Sequence, residues 1–224
     1  MSAPMHLLGR EEIALLEPFT GLGMERIQVV STAAEAQLAL EDLLAARQVG
    51  FDTESRPTFH KGQESQGPHV LQFATPDKAW VFQVHVEECH PALMQILAAE
   101  AIAKIGFGLR SDIEHISRRF GIQAQGIIDL NATFRKMGYT KTIGAKQAVA
   151  MLFHQRMQKS KSTSTTNWSN HRLTDKQILY AANDAYVAIR VFDALNAAGN
   201  VVGHADANAD INADTNAPPA AAGV

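Results

Sequence analysis

The sequence predicts an α/β fold, a mixed sheet with helices on its faces. Three observations carry this. Residues 48–84 hold three strand-type runs in succession, residues 91–138 alternate helix and strand signals, and a long amphipathic helix follows Thr174. Taken in order, Arg26–Val30 is a short β-type run, and Thr32-Ala-Ala-Glu35 is a capping box ahead of an apolar stripe, Ala36, Leu40, Leu43 and Leu44. Gln48–Glu54 alternates as a strand does. His69–Ala74 and Ala79–Val84 follow, separated by the turn residues Thr75-Pro76-Asp77, so the three runs read as an antiparallel meander. Pro91 suits the start of a helix reaching about Ala101. Ala103–Phe107 reads as a strand, and Ser111-Asp-Ile-Glu114 as a second capping box opening a helix to Phe120. Gly126–Leu130 is a strand leading into a helix that ends at Gly138. Thr174-Asp-Lys-Gln177 is a third capping box, and the helix behind it buries Ile178, Ala182, Ala185, Ile189 and Phe192.

The chain has 224 residues, 46% of them hydrophobic, with 20 Lys+Arg, 23 Asp+Glu and one cysteine. That length suits one domain with extensions. Residues 1–24 read as an N-terminal extension with a short helix, Arg10 to Glu17, ended by Pro18; residues 25–198 read as the domain. The tail, 199–224, repeats Ala-Asp-x-Asn and is too poor in large apolar groups to offset chain ordering, which predicts disorder. The tail carries Asp206, Asp210 and Asp214 and no Lys or Arg, so the charges of residues 1–198 balance. A lone Cys89 excludes a disulfide framework and a cysteine-rich zinc module. No run approaches the ~20 apolar residues of a membrane span. Glu11 and Glu12 stand where a signal peptide needs its apolar centre, and the expected location is cytoplasmic.

Two carboxylate patterns carry chemistry. On a strand, residues i and i+2 share a face, so Asp52 and Glu54 lie side by side. Like charges that close repel unless a proton or a cation intervenes. On a helix, Tyr180 and Asp184 sit one turn apart on one face, beside the small Ala181 and Ala182. Asp112 alone reads as an acid favoured in a helix first turn. Together, several oxygen ligands suit Mg²⁺ or Mn²⁺, and paired ions suit in-line phosphoryl displacement.

The segments Val49-Gly-Phe-Asp52-Thr-Glu54, Lys104-Ile-Gly106 leading to Asp112, and Tyr180-Ala-Ala-Asn-Asp184 resemble the three motifs of the DEDD 3′–5′ exonucleases. The tyrosine makes the chain similar to the branch of ribonuclease D and the Werner exonuclease domain. Arg56-Pro57-Thr-Phe59, Leu71-Gln72 and Asn167-Trp168-Ser169 extend the match, which spans about Val29 to Ala198. The resemblance implies a ribonuclease H-like fold and hydrolysis, from the 3′ end, of single-stranded DNA or RNA to nucleoside monophosphates. It implies two divalent cations, Mg²⁺ or Mn²⁺: Asp52, Glu54 and Asp184 around the ion that activates water, Asp52 shared by both, Asp112 supporting the second, and Tyr180 positioning the nucleophile. It places Gln72, Asn167 and Trp168 near the 3′-terminal nucleotide or the strand channel. Neutralising Asp52 or Asp184 is expected to abolish cleavage and to hold or raise stability, because each change thins a crowd of like charges.

Charge supports the same partner. Between Leu130 and Thr174 there is no Asp or Glu, against eight basic residues: Arg135, Lys136, Lys141, Lys146, Arg156, Lys159, Lys161 and Arg172. A positive stretch on a neutral domain is the footprint of phosphate-backbone binding. Other patterns carry less. Gly106-Phe-Gly108 lacks the third glycine of a dinucleotide fingerprint, since Ser111 stands there. His85, Cys89 and His90 have no fourth ligand, His115 reads as an ordinary helix residue, and Asp129 reads as the cap of the next helix. The alternatives are an idle nucleic-acid-binding module, which would bind strands without releasing mononucleotides, and an exonuclease confined to short oligonucleotides. Nothing large enough to be an accessory domain accompanies the catalytic unit, so a homo-oligomer or a partner is a further expected source of substrate choice.

Overall fold

The structure, a computed structural model, describes residues 6–58 and 65–199, apart from the side chain of Lys161. Phe59 and the tail from residue 200 lie outside the described residues. The core is a six-stranded mixed sheet in the order β2 (Ile27–Val30), β5 (Ala79–Gln83), β4 (Val70–Ala74), β3 (Gln48–Glu54), β6 (Ala103–Gly106) and β7 (Ile127–Asp129). The expected meander is present: β3 pairs antiparallel with β4 and β4 with β5, whereas β2, β6 and β7 join in parallel. Alternation then divides the side chains. Phe51, Leu71, Phe73, Trp80 and Phe82 point to the face covered by α2 (Ala33–Ala46), α3 (His90–Ala98) and α4 (Arg110–Phe120). Val70, Ala74 and Val81 point to the face covered by α5 (Leu130–Lys136), α6 (Ala145–Phe153) and α8 (Asp175–Ala197).

Thr32 and Thr174 cap α2 and α8 as expected, each in a reciprocal box with Glu35 and Gln177. The box expected at Ser111 does not form. α4 starts one residue earlier, at Arg110, with Leu109 as its N-cap and no side-chain cap. The Asp129 carboxylate, at the end of β7, takes the Gly108 and Leu109 N–H groups at 3.0 Å each. It also caps α5 through the Asn131 N–H at 2.9 Å. One acid from a neighbouring strand therefore serves two helix starts, and Glu114 pairs instead with Arg110 at 3.4 Å on the surface.

The segment ahead of β2 is fastened to the domain. α1 (Arg10–Leu15) ends two residues before the expected stop, and β1 (Glu17–Pro18) pairs with β8 (Gln155–Arg156). Leu22 is buried, its N–H donates to Asn183 Oδ1 at 2.7 Å, and Asn183 Nδ2 donates back to the Leu22 carbonyl at 3.1 Å. A last short helix, α7 (Lys161–Ser164), precedes α8.

Lys104, in the second motif stretch, is wholly buried on β6. Its Nζ donates to the carbonyls of Ile96, Ala99 and Ile102 at 2.8–3.0 Å, closing the C-terminal end of α3. Burial pushes the amine down to about 7. Lys104→Ala leaves three carbonyls without this donor and opens a cavity, so denaturant unfolding is expected to show a loss of about 3 kcal/mol. A midpoint equal to the parent's would mean that the bonds contribute nothing. No helix among the described residues is long and apolar enough to cross a membrane.

Candidate active site

The site forms where β3 ends and α8 crosses it. Asp52 and Glu54 project from β3 toward α8, and Asp184 meets them from the helix. One carboxylate oxygen of each lies within 4.8 Å of the other two. This convergence depends on close packing at Gly50, where any Cβ would overlap the Ala185 carbonyl oxygen. Tyr180 sits one turn before Asp184, half-buried, its ring tilted against Trp168 with centroids 5.9 Å apart.

Asp112 stands outside that trio. It approaches from the first turn of α4 and accepts a hydrogen bond from the Thr53 hydroxyl. Thr53 lies between the two β3 acids in sequence, so its side chain leaves the strand by the opposite face. Asp112 is still near enough for its charge to raise both Asp52 and Glu54.

Burial, then the neighbouring Asp184 and Asp112, push the Asp52 carboxyl up to about 8. Burial, then Asp52 and Asp184, push Glu54 up to about 9. Asp184 is also raised by burial, against the pull of Lys159. The Lys159 Nζ is 2.6 Å from Asp184 Oδ2 and 5.2 Å from the Tyr180 ring centroid. Burial works against that ammonium, but Asp184 and Asp52 outweigh it and hold the pKa above the ordinary lysine range. One lysine among these carboxylates leaves the group short of positive charge. Clustered hard oxygen donors that resist ionisation fit a divalent cation, which would relieve the repulsion that lifts them.

Two of these features were not legible in the sequence. Thr53 carried no signal beyond its place in the motif. Lys159 belonged to the basic stretch read as a phosphate-binding face; that the loop after β8 returns it to the carboxylates carried no signal.

Of the expected strand contacts, Asn167 is exposed and bonds to Asn170 and Ser169. Gln72 and Trp168 are both buried beside the carboxylate site. Gln72 is fully buried, in register opposite Asp52, and Trp168 is 1% exposed with its indole N–H donating to the Ser164 carbonyl. Trp168 supports Tyr180 from behind and borders a second cavity on its other side. The Lys161 side chain lies outside the described residues. A cleft of about 630 Å³ opens on Tyr180 and Asp184, walled by Phe19, Leu22, Met157 and Leu179.

A family model described as 3′–5′ exonuclease matches residues 27–199. Among curated proteins, the chain is similar to the bifunctional 3′–5′ exonuclease/ATP-dependent helicase WRN of Mus musculus. The two are 28% identical over 154 residues, 68% of this chain and 11% of that protein. The chain thus spans about a tenth of that relative. Among solved structures, the Aedes aegypti Nibbler EXO domain superposes with a TM-score of 0.68 at 20% identity, over 87% of this chain and 99% of that one. The Trypanosoma brucei RNase D complex with RNA U12 gives 0.67 at 20% identity, over 75% and 62%. These neighbours share the ribonuclease H-like exonuclease fold. With a family match over most of its length and this fold beneath it, the chain belongs to the 3′–5′ exonuclease family, consistent with its DEDD superfamily.

Proposed function

We propose that the chain is a metal-dependent exonuclease that removes nucleotides from the 3′ end of single-stranded DNA or RNA and releases nucleoside monophosphates. The observation that carries this reading is the meeting of Asp52, Glu54 and Asp184 within 4.8 Å, beside Tyr180. In the proposed mechanism, Asp52, Glu54 and Asp184 would hold Mg²⁺ or Mn²⁺. There it would supply charge stabilisation for an in-line displacement and a more acidic water. Asp112, fixed by Thr53, adds negative charge at the rim.

Burial, then Asp184, push the Tyr180 hydroxyl up to about 12, so it keeps its proton at any working pH and can donate to the attacking water. Lys159 brings a positive charge to the same point and suits an approaching phosphodiester. The cleft walled by Phe19 and Met157 takes the terminal nucleoside. That an RNase D of the same fold has been solved with RNA U12 supports a strand as ligand.

The test is a degradation ladder on 3′- and 5′-labelled DNA and RNA with Mg²⁺, Mn²⁺ or chelator. Stepwise shortening from the 3′ end, lost in chelator, is the expected pattern. Tyr180→Phe is expected to slow it about 10²-fold, because the water loses its positioning donor while the carboxylates stay. Strand binding without release of mononucleotides under either ion would overturn the catalytic reading.

A further inference from the structure

Outside the acidic site, the described residues enclose a cavity of about 540 Å³ that the motifs did not announce. Arg118 and Arg119, in the last turn of α4, form one side. His69 and His85, at the facing ends of the β4–β5 hairpin, form another, and Trp168 and Ser169 close it. Among the described residues, no Asp or Glu lines it. Both arginines are exposed, and among the described residues neither makes an ion pair.

More positive or donor-bearing groups stand around the rim. The His171 ring lies 4.3 Å from that of His85. His69 Nδ1 accepts the Arg56 backbone N–H at 3.2 Å, which leaves Nε2 as that ring's donor. Burial, then the charges of Arg119 and Arg56, hold His69 below its ordinary pKa, so both guanidinium charges reach this ring. Arginines at a helix C-terminus are favoured by the macrodipole alone. That accounts for their sign; it does not account for a cavity where two arginines and two imidazoles meet with no acid among the described lining residues.

The cavity adjoins the carboxylates. The His69 N–H donates to the Glu54 carbonyl at 2.9 Å, so one strand end links the two. Trp168 borders the cavity and packs on Tyr180. α4 carries Asp112 in its first turn and the arginine pair in its last. Along this path the charge changes sign from negative to positive within one helix length. Phosphates have opposite needs at the two ends: one reacting group must meet cation-holding acids, whereas every other backbone phosphate is best met by fixed cations. Arginine forks suit phosphate oxygens two at a time, and the volume falls within the ~300–1,000 Å³ of small-ligand sites.

We propose that the Arg118–Arg119 cavity is a phosphate subsite that holds the strand on the 5′ side of the nucleotide being removed. The proposal rests on the exonuclease reading for its direction along the strand, and on the cavity alone for its ligand class. The phosphate is either an internal phosphodiester of a longer strand or the 5′-terminal phosphomonoester of a short oligonucleotide.

The test measures binding, not turnover. Fluorescence anisotropy with labelled single strands is run on the full chain carrying Asp52→Asn, with and without Arg118→Gln/Arg119→Gln, across a salt series. Each lost phosphate contact lowers the log–log salt slope by about 0.7 for single strands. The arginine pair is therefore expected to weaken binding about tenfold or more and to flatten the slope by about 1. Both arginines are exposed, so the melting temperature is expected to stay at the parent's value.

Dinucleotides with and without a 5′-phosphate identify the source. A need for that group that vanishes in the arginine variant assigns the terminal phosphomonoester; indifference to it, with an arginine effect on longer strands, assigns the internal diester. Unchanged affinity and slope in the double variant would overturn the subsite. Absence of cleavage in the parent, with the arginine effect intact, would overturn the exonuclease reading and leave an anion site.

Discussion

Asp52→Asn is expected to lower nucleotide release by at least about 10³-fold while making the chain more stable in chelator. Losing a charged ligand from the carboxylate trio removes on the order of 4 kcal/mol of transition-state stabilisation, which is that factor in rate. Stability moves the other way because the folded chain crowds Asp52 against Glu54 and Asp184, and burial raises its carboxyl to about 8. An acid whose pKa is higher folded than unfolded stabilises the fold fully below its unfolded value, near 4, and loses that contribution as pH rises toward the folded value. In chelator, the parent is therefore expected to lose stability steadily between about pH 4 and pH 9, the window set by Asp52 and by Glu54 at about 9. Asp52→Asn should flatten that slope and gain on the order of 2 kcal/mol at pH 8, several degrees of melting temperature for a chain of this size. Thermal unfolding across pH, with release assays alongside, checks both halves. Near-parental release would dismiss the site.

From spacing alone, Asp184→Asn is expected to bring the same stability gain as Asp52→Asn, and the structure separates the two. Asp184 holds the Lys159 ammonium at 2.6 Å in a buried setting. Neutralising it relieves repulsion but strands a cation, so the gain shrinks or reverses, whereas the loss of release remains.

Gly50→Ala is expected to cost about 3 kcal/mol or more and most of the activity, without altering any group that touches substrate. The new Cβ would overlap the Ala185 carbonyl and stand 3.0 Å from the Ile189 nitrogen. Both are backbone atoms of α8, so no rotamer change relieves the clash, and the helix must lift from β3. α8 carries Tyr180 and Asp184, and β3 carries Asp52 and Glu54. Lifting one from the other separates the carboxylates. Urea unfolding and a release assay on the same preparation check it, and a variant with parental midpoint and rate would show that the approach at Gly50 is not what sets the site.

Local spacing determined much of this protein. The period-2 run of β3 placed Asp52 and Glu54 on one face, and the four-residue step placed Tyr180 beside Asp184, because backbone geometry alone fixes both relations. The Thr32 and Thr174 boxes were legible for the same reason: donor and acceptor lie three residues apart. The box read at Ser111 was not real, because Asp129, some twenty positions away, reached the helix start first. The burial of Trp168 and its packing on Tyr180 were not legible, since burial is a property of what folds over a residue. α6 left no clear trace in the pattern, and neither the return of Lys159 to the carboxylates nor the sign change along α4 is written in any short motif. Those features depend on sheet register, on where α8 crosses β3, and on how loops bring distant charges together. Such relations are settled by packing the whole chain, and only the tertiary structure decided them.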